Sequence, residues 1–229
     1  MRYEIKFVLP ETFLHSVYNK ILTSQYFFSE IFKERRINNI YLDTPTYDNL
    51  YDNLNGFPSR TKHRIRWYGG DSEVGDPILE YKIKKGQLGY KKYYSLPGFK
   101  FDINFNYDNY LEKIGKIILG HNGEYKIMLG DIRVEIPTLY NTFQRRYFLS
   151  GNGKFRITAD RNITYKGVDR RFSNAYSFSQ NNIVVELKFD DVNIGGAPGI
   201  IQELGFRISR NSKYVIGMRG IYFNIDDQD

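Results

Sequence analysis

With 229 residues, 33 Lys and Arg against 26 Asp and Glu, and a formal charge of +7, the chain has room for one generous domain and favours anionic partners: nucleic acid, phosphates or anionic lipid. The absence of cysteine excludes a disulfide framework and a thiolate metal site. MRYEIKFVLP is charged within its first six residues and does not read as a signal peptide, and no later stretch nears the roughly 18 uninterrupted apolar residues of a membrane span. The expectation is a single soluble, cytoplasmic domain over residues 1–229.

Residues 2–9 alternate, with Arg2, Glu4 and Lys6 on one face of a strand and Tyr3, Ile5 and Phe7 on the other. Pro10 ends that strand. Phe13, Leu14, Val17, Ile21 and Leu22 then recur at helical spacing, which predicts a helix from Glu11 to about Arg35. INNIYLDTP reads as a second strand stopped by Asp43-Thr44-Pro45, and YDNLYDNLNG as a short helix closed by Gly56. In residues 60–70, Lys62, Arg64, Arg66 and Tyr68 alternate with His63, Ile65 and Trp67. ILEYKIKKG and GYKKYYSLPG form a predicted hairpin through Lys85 and Gly86. Residues 107–119 read as helical, 121–136 and 138–149 as strands, and 151–165 as the clearest hairpin in the chain, with Gly-Asn-Gly supplying the turn and Arg156, Thr158 and Asp160 sharing one face. NIVVELKFD is a further strand, APGIIQELG a short helix, and SKYVIGM lies near the C-terminus.

Separate strands thus carry charged residues at a period of two, backed by apolar ones. Period alone fits charged faces turned to solvent as well as charged faces turned inward. Three features favour the inward reading. Basic residues dominate these faces, and Arg64 with Arg66 and Lys82 with Lys84 are like-charge neighbours that repel unless an anion lies between them. Arg64, Arg66, Arg145 and Arg156 offer planar forks suited to phosphate oxygens. Glu4, Glu80 and Glu186 each precede a Lys by two, and carboxylates set among cations can hold a divalent ion that bridges phosphates. His15, His63 and His121 read as structural or surface residues, Trp67 as core, and the Gly pairs at 69–70 and 195–196 as turns.

RYEIKFVLP, IYLDTP, RTKHRIRWYG, ILEYKIKKG with GYKKYYSL, FQRRYF, FRITADRNITY, VVELKF and the late SKY occur in an order and spacing that resembles the CYTH-like triphosphate tunnel metalloenzymes. Within them the chain is most similar to the VTC domain of polyphosphate polymerases. The resemblance implies an α+β fold, an antiparallel eight-stranded β-barrel with helices packed on its outside. The implied function is transfer of the terminal phosphate of ATP to a growing polyphosphate chain, with Mn²⁺ or Mg²⁺ as cofactor and no nucleic-acid partner.

Carried over position by position, the resemblance assigns Lys6, Arg64, Arg66, Lys82, Lys91, Arg145, Arg156, Lys188 and Lys213 to the tunnel lining. It makes Glu186 the metal ligand and Ser212, Phe143, Lys84 and Glu80 substrate contacts. Lys91 is preferred to Lys92 by spacing from Gly86, and Arg145 to Arg146 by the aromatic two residues before it. Arg2 stands where hydrolytic relatives begin with a glutamate, which favours the polymerase-like branch. Phe143 replaces a tyrosine and lacks its hydroxyl. Coupling of synthesis to translocation would need a separate membrane partner. A tripolyphosphatase or triphosphatase, and a non-catalytic module for polyphosphate or inositol phosphates, are the alternatives.

Overall fold

The alternation read in residues 2–9 forms strand β1 (Arg2–Pro10), and the apolar spacing after Pro10 forms a 3-10 turn (Glu11–Phe13) and helix α1 (Leu14–Leu22). The computed structural model describes residues 2–70, 77–85, 88–97, 135–169 and 176–223, with backbone alone at residues 2, 84, 85 and 88–90. It continues with β2 (Ser29–Asp43), α2 (Asp48–Leu54), β3 (Ser59–Tyr68), β4 (Ile78–Lys85) and β5 (Leu88–Ser95). Then come β6 (Ile136–Leu149), β7 (Phe155–Gly167), β8 (Ser177–Gln180) and β9 (Asn182–Asp190). A second 3-10 turn (Asp191–Gly196) leads to α3 (Ala197–Leu204) and α4 (Lys213–Tyr222). The predicted helix 107–119, residues 121–134 of the predicted strand and His121 lie outside the described residues.

These strands form an antiparallel nine-stranded sheet in the order β1-β9-β7-β6-β2-β3-β4-β5, with β8 paired to β7. The chain divides into two compact units. Unit 1 comprises Met1–Ile37, Thr142–Thr164 and Phe178–Lys213; unit 2 comprises Asn38–Asn141, Tyr165–Ser177 and Tyr214–Asp229.

In unit 1 the apolar half of each alternation makes the core. Phe7 of β1, Ile183, Val185 and Leu187 of β9, and Phe155, Ile157 and Ala159 of β7 pack with Val17 and Ile21 of α1 and Ala197, Ile200 and Leu204 of α3. Both helices therefore lie on the face of the sheet opposite Lys6, Glu186 and Asp160, because side chains on a strand alternate between faces. The turn before β7 matches its sequence: Gly153 has φ of 71°, and Asn152 Oδ1 accepts hydrogen bonds from Ser150 Oγ (2.8 Å) and Lys154 N (3.0 Å).

The helix expected to reach Arg35 stops at Leu22, and residues from Ser29 onward are strand. The helical apolar spacing ends at Leu22, the helix caps at Thr23, and the positive φ of 53° at Phe27 keeps the chain from resuming a helix before Ser29. Glu30 then forms a two-bond pair with Arg146 at 2.7 and 2.8 Å, and Glu34 one with Arg161 at 2.9 and 3.0 Å. These partners on β6 and β7 favour the extended form of a segment whose own propensity is weak.

In unit 2, Asp43 at the end of β2 is fully buried and receives the backbone N–H groups of Thr44, Asn49 and Leu50 at 2.8–3.0 Å, and the hydroxyl of Tyr214. It thereby satisfies the first-turn donor of Asn49, which has no intrahelical partner, and adds to the bond that Leu50 N makes to the Tyr47 carbonyl. Burial pushes the Asp43 carboxyl up to about 6, against the donors that favour its charge.

Candidate functional site

Strand register in unit 1 sets charged side chains in rows. Glu4, Lys188 and Arg156 lie abreast on β1, β9 and β7, followed by Lys6, Glu186 and Thr158, and then by Val8, Val184 and Asp160. Burial deepens along them: Arg156 is exposed, Lys6 and Lys188 are half-buried, Glu186 is 6% exposed and Asp160 0%. An ordinary solvated face would keep all three rows wet, so in unit 1 this face is enclosed and the apolar face is covered by helices.

Glu186 gathers the cations. Lys188 Nζ donates to its Oε2 at 2.5 Å, Thr158 Oγ1 at 3.3 Å, and Arg145 Nη2 lies 3.6 Å away. Lys6 Nζ lies 3.3 Å from Glu186 Oε1 and 3.1 Å from Glu4 Oε1, and donates to the Asn211 carbonyl at 2.9 Å. Burial opposes the Glu186 charge, but Lys188, Lys6, Arg145 and Lys213 outweigh it and hold the carboxyl well below its usual range. Burial likewise opposes the Lys6 charge, and Glu186 and Glu4 overcome it, raising that ammonium. Asp160 receives Arg145 Nε (2.5 Å) and Nη2 (2.7 Å) and Lys213 Nζ (2.6 Å). The Phe143 ring centroid lies 5.1 Å from Arg145 Cζ and 4.7 Å from Lys213 Nζ.

Unit 2 carries its own basic face. Lys62, Lys82 and Lys91 stand abreast on β3, β4 and β5, and Arg64, Glu80 and Tyr93 form the adjoining row. Arg64 Nε and Nη2 both reach Glu80 Oε2, and Arg66 Nη1 lies 3.2 Å from Glu80 Oε1. The repulsion between Arg64 and Arg66 that the sequence predicts is therefore met by the carboxylate of Glu80. Burial opposes the charge on Glu80, but Arg64 and Arg66 bring its carboxyl down to about 2. β2 supports these arginines: Asn39 Oδ1 accepts from Arg66 Nε at 2.9 Å, and Tyr41 Oη accepts from Arg64 Nη1 at 3.4 Å.

The structure brings Lys6, Phe143, Arg145, Glu186, Lys188 and Lys213 into one cluster of unit 1, with Arg156 in the exposed row and Ser212 half-buried beside Lys213. Arg66 and Glu80 form the buried part of unit 2's face and Arg64 is half-buried beside them, while Lys82 and Lys91 are exposed. The Lys84 side chain lies outside the described residues. Lys91 faces Lys82 across the ladder whereas Lys92 faces Tyr81, and Arg146 pairs with Glu30 rather than with the cluster. Sequence reasoning gave no role to Asp160, Asn39 or Tyr41. Asp160 shares a face with Arg156 and Thr158, which was the available signal, while Asn39 and Tyr41 sit in a β2 segment buried on both sides and hence without alternation.

The model of the VTC domain family matches residues 1–222. The chain belongs to the VTC domain family. Its fold is that of the CYTH-like triphosphate tunnel proteins. A Hippeastrum protein, described as a candidate adenylyl cyclase with a dominant triphosphatase activity, aligns at TM-score 0.54 and 16% identity over 96% of this chain and 97% of its own. A candidate adenylate cyclase from Vibrio parahaemolyticus aligns at TM-score 0.52 and 10% identity, covering 92% of the VTC-domain chain and 94% of its own. A search of curated proteins finds no match. No helix among the described residues is long and apolar enough to cross a membrane.

Proposed function

We propose that this VTC-domain chain is a polyphosphate polymerase that moves the terminal phosphoryl group of ATP onto a growing polyphosphate chain. The observation that carries the reading is the buried cluster on Glu186, where Lys6, Lys188 and Arg145 converge on one carboxylate within an enclosed face. In the proposed step a terminal oxygen of the acceptor chain attacks Pγ, the bond from Pγ to its bridging oxygen breaks, and ADP leaves with that electron pair. A loose phosphoryl-transfer transition state asks mainly for positioning and charge stabilisation. Fixed ammonium and guanidinium groups supply both. The acceptor oxygen is already anionic, so no general base is required.

Among the described residues no group of three or more His, Cys, Asp or Glu forms an all-protein metal cage. An ion such as Mn²⁺ or Mg²⁺ that arrives with phosphate needs only one or two carboxylates from the protein. Glu186, with Glu4 against the same lysine, fits that demand. Such an ion would supply Lewis-acid stabilisation of phosphate charge when bound. Arg64 and Arg66 on unit 2, with Lys82 and Lys91 beside them, are further phosphate-binding candidates in this reading.

The triphosphatase activity named for the Hippeastrum neighbour favours a second reading, hydrolysis of a triphosphate by the same fold. Incubation with ATP and Mn²⁺, resolved on a gel, separates the two. Long-chain polyphosphate is expected; orthophosphate without polymer would replace synthesis by hydrolysis, and binding without turnover would leave a non-catalytic module. Glu186→Gln is expected to abolish turnover while tripolyphosphate binding persists, and unchanged turnover would remove Glu186 from the site.

A further inference from the structure

Asp160 is fully buried on β7, and both oxygens are committed. Arg145 meets it edge to edge through Nε and Nη2, the two-bond geometry that fixes a guanidinium plane. Its Nη1 has no partner among the described residues. Lys213 Nζ shares Asp160 Oδ2 with Arg145 Nη2, so one carboxylate ties together a cation of β6 and the first residue of α4. Phe143 lies against both cations and limits their movement away from it.

The charges around Lys213 make this tie consequential. Burial pushes the Lys213 ammonium down; Asp160 on β7 and Glu186 on β9 oppose that, while Arg145 on β6 and Lys6 on β1 add to it. Without Asp160, two like charges would face each other in an enclosed setting.

We propose that Asp160 is a positioning residue that holds Arg145 and Lys213 together as a prearranged pair of donors for a single phosphate group of the bound chain. The proposal rests on the phosphate-binding reading of unit 1 given above. It opposes the simplest electrostatic expectation. A bystander carboxylate beside an anion site repels the ligand, so neutralising it would tighten binding, whereas loss of a positioning carboxylate weakens binding.

The test is calorimetric titration of the whole chain with tripolyphosphate, in wild type, Asp160→Asn, the Arg145→Ala/Lys213→Ala double variant and the triple variant. Asp160→Asn is expected to weaken tripolyphosphate about tenfold, and to have no weakening effect once Arg145 and Lys213 are gone. Unchanged or tighter binding by Asp160→Asn overturns the proposal, as does an equal penalty in the double-variant background. Wild type that fails to bind tripolyphosphate overturns the phosphate reading itself, which keeps the two failures apart. Should Asp160→Asn not fold, NMR of the wild-type Arg145 Nε–H decides. Protection from exchange that survives saturation with tripolyphosphate supports the pair, and protection lost on binding, with Asp160 displaced by phosphate, overturns it.

Discussion

Glu80 stands between two arginines on the neighbouring strand, and its carboxyl is held at about 2 by Arg64 and Arg66 despite burial. A carboxylate whose folded value lies below its unfolded one stabilises the fold above the unfolded value and loses that contribution as pH falls through the folded one. The window runs from the ordinary 4.5 down to about 2. Glu80→Gln is therefore expected to cost about 3 kcal/mol at neutral pH, an order-of-magnitude figure from the shift. Urea unfolding of both proteins across pH should show that difference shrinking towards pH 2; a difference constant with pH would contradict the assignment. At this scale the cations were legible in sequence because strand alternation names the face of each. Asp160 was not, since nothing in a single strand tells a carboxylate that ties two cations from one that is merely solvated.

The strands of unit 1 owe their orientation to helices on one side. Leu187 is fully buried among Phe7, Ile157 and Ala159 on the face that α1 and α3 cover, while Glu186 and Lys188 point the other way. Leu187→Ala should lower stability by about 2–5 kcal/mol, the usual range for an unfilled core cavity. Denaturant midpoints with unchanged m-values would register it, and a loss under 0.5 kcal/mol would mean that this face is not the packed one. β1, β3, β4 and β9 were readable because one side of each is apolar. The first half of β2 is not legible as strand because its residues are exposed and its strand form depends on Arg146 and Arg161, far away in sequence. Its second half is buried on both faces, so alternation could not single out Asn39, Tyr41 and Asp43.

For the whole molecule, a net charge of +7 says only that an anion is welcome. The order of the motifs along the chain carried the fold, and the VTC domain family model matches residues 1–222, over which those motifs lie. Register and burial then distinguish the enclosed cations of each unit from the exposed ones, which composition cannot do. A site built from fixed cations should prefer a compact, densely charged phosphate chain to a duplex of equal charge. The direct measurement is titration of wild type with tripolyphosphate in competition with duplex DNA at about 150 mM salt, near physiological ionic strength. Saturable tripolyphosphate binding that duplex DNA does not displace is the expected result. Binding that duplex DNA displaces, or no binding at all, would contradict the enclosed phosphate site on which the functional reading stands.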